Sequence, residues 1–492
     1  MKNIPHVNLG IIAVSRDCFP IELSQTRRQK VVNECDAKKI NVKELMTTIE
    51  NENDVLKALE EIEKNDINAL VIYLGNFGPE GPTTILAQKF DGPVMFVAAA
   101  EDSEADLVNG RGDAYCGMLN TSYNTGLRKL RPYIPEYPVG DPGDVARMIG
   151  EFVPIARVML GLKQLKIFAF GPRPHDFLAC NAPIKALFDL GVEVMENSEL
   201  DLYDIVQLAA DDSMIPDIEK SMAEELGAGN NYPDLIKKLA RYEVALRRFM
   251  ENNLGASKFG IFANKCWPAF EKYFGHVPCY INSRLAAEGI PVACEVDIYG
   301  ALSEYMIACA TQLPPTILDI NNSVPKDMYE SHRVKFGDYK LTDLFMGFHC
   351  GNTSSVCMAD PQMKYQLIMH RLMESGEEPN ITRGTLEGRI KPGLTTIFRL
   401  QSTADTQLKA YMAEGEIIDI DPKSFGSIGV FAIKEMGRFY RHVLIEKRFP
   451  HHTAIAFKHA GKTLFEAVKM LGVADISFNL PSSLYYSGEN PF

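Results

Sequence analysis

Short, wholly apolar runs alternate with longer segments of helical period through the first 320 or so residues, and that alternation limits the chain to a layered α/β architecture. Residues 9–14 (LGIIAV), 69–74 (ALVIYL) and 93–99 are runs of this kind. Each is too short for a helix of ordinary length and apolar on consecutive positions, the pattern of a strand covered on both faces. Between them, residues 42–65 place Leu45, Ile49, Leu56, Leu59 and Ile62 at helical spacing, and residues 144–162 also read as a helix. A second round follows. Strands are expected at 165–170, 192–195, 258–263 and 291–296, with a charged helical region over 214–253 broken by a Gly/Asn turn at 227–231, and an apolar helix at 299–310. Strands separated by helices imply parallel sheets with helices on both faces.

The texture changes near residue 324. Strand-like segments at 390–401, 407–411, 416–420 and 438–446 succeed one another with little helix between them, and a helix at 462–471 closes the pattern. The expected fold is therefore two Rossmann-like α/β domains, residues 1–163 and 164–323, followed by a C-terminal β-rich, barrel-like domain at 324–492. A chain of 492 residues is long enough for three such cores.

Composition narrows the function classes. The net charge of −13 disfavours nucleic acid or an anionic membrane as partner, because both select a basic footprint. No apolar stretch is long enough to span a bilayer, and the start of the chain lacks a signal-peptide core, so a cytoplasmic protein is expected. The ten cysteines contain no CxxC pair and read as buried free thiols. The loop Gly75–Asn76–Phe77–Gly78 follows a strand but has neither phosphate-loop pattern, which weakens a nucleotide-binding reading.

Chemistry concentrates in the second half. Glu295 and Asp319 stand 24 residues apart, each at the end of a short apolar run. Carboxylates are rarely buried unless paired or metal-bound, and two of them one helix apart suggest a shared site at a sheet edge. Asp297 reads as the N-cap of the next helix, with a supporting role to Glu295 as the alternative. His349, His451, His452 and His459 are candidate imidazole ligands. Two carboxylates with imidazoles suit a divalent cation. Cys350 beside His349 admits a weaker Cys/His nucleophile reading.

At these residues the chain resembles the L-fucose isomerase and L-arabinose isomerase superfamily, metal-dependent aldose–ketose isomerases. The acidic pair has the spacing found in fucose isomerases. The segment from His452 to Gly461 (HTAIAFKHAG) is similar to that family's late histidine segment, and the His451–His452–Thr453 triplet to that of arabinose isomerases. Arg389, Lys391 and Gly393 fall in a segment similar to one in the β domain of fucose isomerases. The pattern is a hybrid. His349 resembles an extra ligand of arabinose isomerases, while Asp at 319 follows fucose isomerases.

The resemblance implies that Glu295, Asp319, His349 and His452 hold the metal, expected to be Mn2+ with Co2+ or Mg2+ as substitutes. It implies that Glu295 and Asp319 also move the proton of an enediol mechanism on a free monosaccharide of fucose or arabinose type, or a related hexose or pentose. It further implies a homo-trimer or homo-hexamer with sites shared between subunits, and Arg16, Asn76, Phe77 and His451 as weaker contacts to substrate. The alternatives are a metal-dependent sugar epimerase or aldolase on the same scaffold, or a non-catalytic sugar-binding protein.

Overall fold

In a computed structural model, residues 1–492 are described, with the side chains of all but 106, 109, 371 and 372. The apolar runs of the first half become the inner strands of a five-stranded parallel sheet. Its strands are β1 (Leu9–Val14), β2 (Lys43–Ile49), β3 (Ala69–Leu74), β4 (Val94–Ala99) and β5 (Val139–Gly140), in the order β2-β1-β3-β4-β5. Every residue of β1, β3 and β4 is buried, as a doubly covered sheet requires. A second parallel sheet has the order β7-β6-β8-β9, with β6 (Leu165–Gly171), β7 (Glu193–Ser198), β8 (Phe259–Ala263) and β9 (Val292–Ala293).

The remaining strands are β10 (Thr316–Ser323), β11 (Leu344–His349), β12 (Met358–Tyr365), β13 (Arg383–Ile390), β14 (Gly393–Ser402), β15 (Leu408–Ile418), β16 (Ser427–Ala432), β17 (His452–Ala456) and β18 (Asp475–Phe478). They form one sheet in the order β12-β13-β16-β11-β10-β17-β14-β15-β18. A further pairing of β15 with β16 closes β16-β11-β10-β17-β14-β15 into a six-stranded barrel, with β12, β13 and β18 as extra strands. The α/β-then-barrel architecture is the one expected.

Contacts divide the chain into two compact units. One comprises Pro5–Leu160 and Glu466–Gly472; the other comprises Met1–Ile4, Gly161–Phe465 and Val473–Phe492 and contains both the second parallel sheet and the barrel. Within the latter, the helix Ile298–Thr311 packs against β8 on one side and β14 and β17 on the other. It is buried from Tyr299 to Thr311, which explains its apolar composition all round. Among the described residues, no helix is long and apolar enough to cross a membrane.

Three local expectations are corrected. Residues 42–65 are not one helix: β2 occupies Lys43–Ile49, and the helix runs only over Glu52–Lys64, started by an Asn51/Asp54 capping box. Residues 438–446, expected as a strand, are helical from Met436 to Ile445. The strand of Asp319, read with the second α/β region, hydrogen-bonds instead in the barrel sheet between β11 and β17.

Candidate active site

Glu295 and Asp319 approach from different sheets. The two-residue strand β9 passes directly into a tight turn at Cys294–Val296, where both Glu295 (φ 55°) and Val296 (φ 56°) are left-handed. That conformation costs roughly 1–2 kcal/mol per residue and is an outlier for a β-branched side chain. Neighbouring hydrogen bonds hold it. Val296 N donates to Asn264 O (2.8 Å), Asn264 N donates to Ala293 O (3.0 Å), and the Asn264 and Asn282 amides bond each other at 3.2 Å. Asp319 lies within β10, opposite His452 of β17 and Phe348 of β11, and His349 ends β11.

These placements bring the four expected ligands together. Glu295 Oε2 lies 3.6 Å from His349 Nε2 and 3.5 Å from His452 Nε2, and Asp319 Oδ1 lies 3.4 Å from His452 Nε2. His451 stands at the margin, its Nε2 3.6 Å from Asp319 Oδ1. Glu295 Oε2 and Asp319 Oδ1 are buried and have no hydrogen-bond partner among the described residues. An unpartnered buried carboxylate oxygen is costly. Two of them converging on His452, with His349 beside Glu295 and His451 beside Asp319, form a donor set that a divalent cation satisfies. The potential ligand atoms of Asp319, His451 and His452 lie within 4.8 Å of one another, as do those of Cys294, Glu295 and His349. Burial alone would raise the Glu295 carboxyl; the surrounding His349, His452 and His451 outweigh it and hold the group below its ordinary range.

Behind His452 lies a fully buried ion pair that sequence reading missed. Asp297 Oδ2 is 2.8 Å from His452 Nδ1, and both Asp297 oxygens accept from the Arg399 guanidinium (2.7 and 2.9 Å). Asp297 Oδ1 also accepts from Gly300 N (2.9 Å), so the expected helix cap is present as well. Arg399 is completed by the Gln401 side-chain oxygen at 2.9 and 2.7 Å. Burial disfavours the Asp297 anion, but Arg399 and His452 hold its carboxyl far below the usual range. The one sequence signal for Arg399 is a single cation inside the otherwise apolar or uncharged strand β14.

A cavity of about 210 Å³ opens over the carboxylates and histidines, walled by Phe177, Trp267, Phe348, Ile368 and Met369 with Gln366 as a polar member. Phe177 packs edge-on against His451 (ring centroids 5.5 Å) and against Trp267 (6.2 Å). Among the described residues, no Lys or Arg lines it.

Arg16, Asn76 and Phe77 cluster within the five-stranded-sheet unit. The Arg16 guanidinium lies 4.7 Å from the Phe77 ring centroid, a cation–π arrangement. Asn76 is buried, accepts from Arg16 N (3.1 Å) and Gly78 N (3.2 Å) and donates to Ser15 Oγ (2.9 Å), so its amide ties the two loops together. Arg16 and Phe77 are the members of the cluster that reach the surface.

Comparison with known proteins identifies the family. Residues 10–163 match the family described as fucose/sulfoquinovose isomerase, N-terminal domain, and residues 347–477 match L-fucose isomerase, C-terminal domain. The chain belongs to the L-fucose isomerase-like superfamily. Among relatives of this superfamily, a sulfoquinovose isomerase of Priestia aryabhattai is 21% identical over 472 residues, covering 94% of this chain and 97% of its own. One from Alkalicoccus urumqiensis is 25% identical over 71% of each chain, and one from Clostridium sp. (strain MSTE9) is 26% identical over 59% of each. As a member of the L-fucose isomerase-like superfamily with such relatives, the chain is an aldose–ketose sugar isomerase. The superfamily is compatible with a metal, and the convergent donors above are where one would be held.

Proposed function

We propose that the chain isomerises sulfoquinovose, an aldohexose with a sulfonate at C6, at a Mn2+ site held by Glu295, Asp319, His349 and His452. Co2+ and Mg2+ are the substitutes the oxygen-rich donor set admits. The observation that carries the metal reading is the pair of buried, unpartnered carboxylate oxygens converging on the His452 imidazole. The substrate reading rests on the relatives named sulfoquinovose isomerase, two of which align over nearly the whole chain.

A divalent cation there supplies Lewis-acid stabilisation of the charge that builds on O1 and O2 during enolisation. Of Glu295 and Asp319, one removes the C2 proton and returns it to C1, a general-base contribution of typically 10²–10⁴-fold. Phe177, Trp267 and Phe348 exclude water around the exposed carbanion equivalent.

A sulfonate requires cations that the described cavity lining does not contain. We therefore extend the proposal to a homo-trimer or homo-hexamer in which Arg16, 42% exposed at its side chain, meets the sulfonate held by a neighbouring copy. A surface suited to such assembly is the helix Ala114–Leu127. Its fourteen residues include no charge, and Tyr115, Leu119, Tyr123 and Leu127 are 60%, 65%, 69% and 65% exposed at intervals of four along one face.

The test is chelator-stripped enzyme with Mn2+, Co2+ or Mg2+ restored, assayed on sulfoquinovose, L-fucose and L-arabinose by ketose formation. Turnover of sulfoquinovose dependent on added metal is expected. Full activity after stripping would sink the metal reading, and turnover of L-fucose without sulfoquinovose would sink the substrate reading.

A further inference from the structure

The second parallel sheet carries a cavity of its own, larger than the one over the carboxylates. It has a volume of about 470 Å³ and lies beyond the carboxyl ends of β6 and β7, at Gly171 and Asn197, where open parallel sheets take up small ligands. Arg173 lines it. Pro172 and Pro174 flank this residue and restrict the backbone on either side. Arg173 Nε is buried and has no hydrogen-bond partner among the described residues, so a guanidinium N–H is withdrawn from water with its donor capacity unused. The opposite chemistry stands on β7. The Asn197 amide donates to Ala169 O (3.3 Å) and Met195 O (3.0 Å), which leaves Oδ1 as an acceptor, and the Glu196 carboxylate also lines the cavity. One guanidinium and two acceptors match a ligand with an anionic group at one end and hydroxyls at the other. The cavity shares its walls with the candidate active site. Val296 lines it and belongs to the left-handed turn that holds Glu295. Cys180 lines it too, and its Sγ lies 3.7 Å from His452 Nδ1. Tyr299 Oη donates to Pro183 O at 2.6 Å, which ties the loop 180–184 to the helix after Glu295.

We propose that this cavity is a second binding site, for a polyhydroxylated organic anion such as a sugar phosphate or a sugar acid, and that its occupancy activates the isomerase. The anionic group meets Arg173, and hydroxyls donate to Asn197 Oδ1 and to Glu196. Ile184 and Ile298 add apolar surface for the carbon skeleton. The inference goes beyond the substrate proposed above and holds whichever sugar is isomerised. Activation follows from the shared walls. The cavity exists in the same arrangement in which Glu295, Asp319 and His452 converge. A ligand that binds this arrangement favours it over any in which Val296 or Cys180 has shifted. Arg173 does not line the cavity over the carboxylates, so it is an effector contact and takes no part in the chemistry.

Calorimetric titration of the whole enzyme with D-glucose 6-phosphate and with D-gluconate measures the site directly. D-glucose supplies the hydroxyls without the charge, and inorganic phosphate the charge without the hydroxyls. At least one of the two hydroxylated anions is expected to bind, with both controls weaker by about tenfold or more, the worth of a hydrogen bond to a charged group. Arg173→Ala should weaken that binding about 10- to 100-fold and leave turnover without effector unchanged. Ala182→Trp, which fills the cavity from another wall, should abolish it. Arg16→Ala should retain it. Saturating the site should raise kcat/KM about fivefold or more in wild type and not in Arg173→Ala. Binding of neither anion, or equal binding by wild type and both cavity variants, would overturn the site. So would binding lost in Arg16→Ala and kept in Arg173→Ala, which would put the ligand where the sulfonate is expected. Binding with kcat/KM unchanged or lowered would overturn the activation. The titration needs no turnover, so it decides the site even where the substrate reading fails.

Discussion

Glu271 offers a quantitative test of how this structure handles buried charge away from the carboxylate–histidine site. It lies in the short helix Phe270–Phe274, is fully buried, and neither carboxylate oxygen has a hydrogen-bond partner among the described residues. Burial, with the nearby Glu374 adding repulsion, pushes its pKa up from 4.5 to about 8. The folded protein therefore keeps this proton over a range in which the unfolded chain has lost it. Stability must fall as pH rises from the unfolded value toward the folded one and level off above it, at about 1.4 kcal/mol per pH unit in between. Between pH 5.5 and 7.5 the loss amounts to about 3 kcal/mol. Glu271→Gln removes the titration and keeps the shape. The buried amide carries its own unpaired-group cost, but that cost is independent of pH. Other buried acids, such as Glu304 (also raised to about 8), contribute equally to both proteins and cancel in the difference. Urea unfolding of both at pH 5.5, 6.5, 7.5 and 8.5 should show the variant gaining on wild type by about 1.4 kcal/mol per unit at first and flattening past pH 8. A stability difference constant with pH would refute the reasoning and mean that the Glu271 carboxylate is solvated or paired in solution.

Three further outcomes follow from the site and the surface. Glu295→Gln should lower kcat by about 10²–10⁴-fold whether the residue acts as base or as ligand, and near-wild-type turnover would remove it from the chemistry. Adding Mn2+ at about 100 times its Kd to stripped protein should stabilise the fold by about 2.7 kcal/mol, seen as a rise in thermal midpoint that Glu295→Gln and Asp319→Asn diminish. Leu119→Glu with Tyr123→Glu places charge in the uncharged face of the Ala114–Leu127 helix. Sedimentation should then show a smaller species than wild type, and an unchanged mass would move the interface elsewhere.

Much of the scaffold was readable from burial pattern. Leu9–Val14 and Ala69–Leu74 appear in the structure with the bounds expected, because inner strands of parallel sheets are apolar at every position. The errors fall where two periodicities coincide. In 42–65, Leu45 and Ile49 fit a helical face as well as a half-exposed edge strand, and β2 is such an edge. In 438–446, expected as a strand, Phe439 and Val443 bury one side of a helical turn. The site was legible as a set of residue types: a carboxylate at the end of a buried run has few uses. Its assembly was not. Nothing local reveals that Glu295 occupies a left-handed turn, or that Asp319 arrives from the barrel. Asp297 was visible as a cap but not as the partner of His452, because that contact depends on Arg399, more than a hundred residues away in the chain.

The origin of the carboxylates in separate sheets has a consequence for how the protein is made. Glu295 lies at the end of a parallel sheet that is finished by residue 293, whereas His452 is in β17, 157 residues later. The second sheet could fold early and on its own contacts, but the cation pocket would not exist until the barrel had closed and been laid against it through the Ile298–Thr311 helix. Closing contacts of such long sequence separation is slow. Capture of the proposed metal would then be a late event that reports completion of the entire unit. A partly folded chain, carrying Glu295 alone, would have little with which to hold a scarce transition metal or to enolise a sugar.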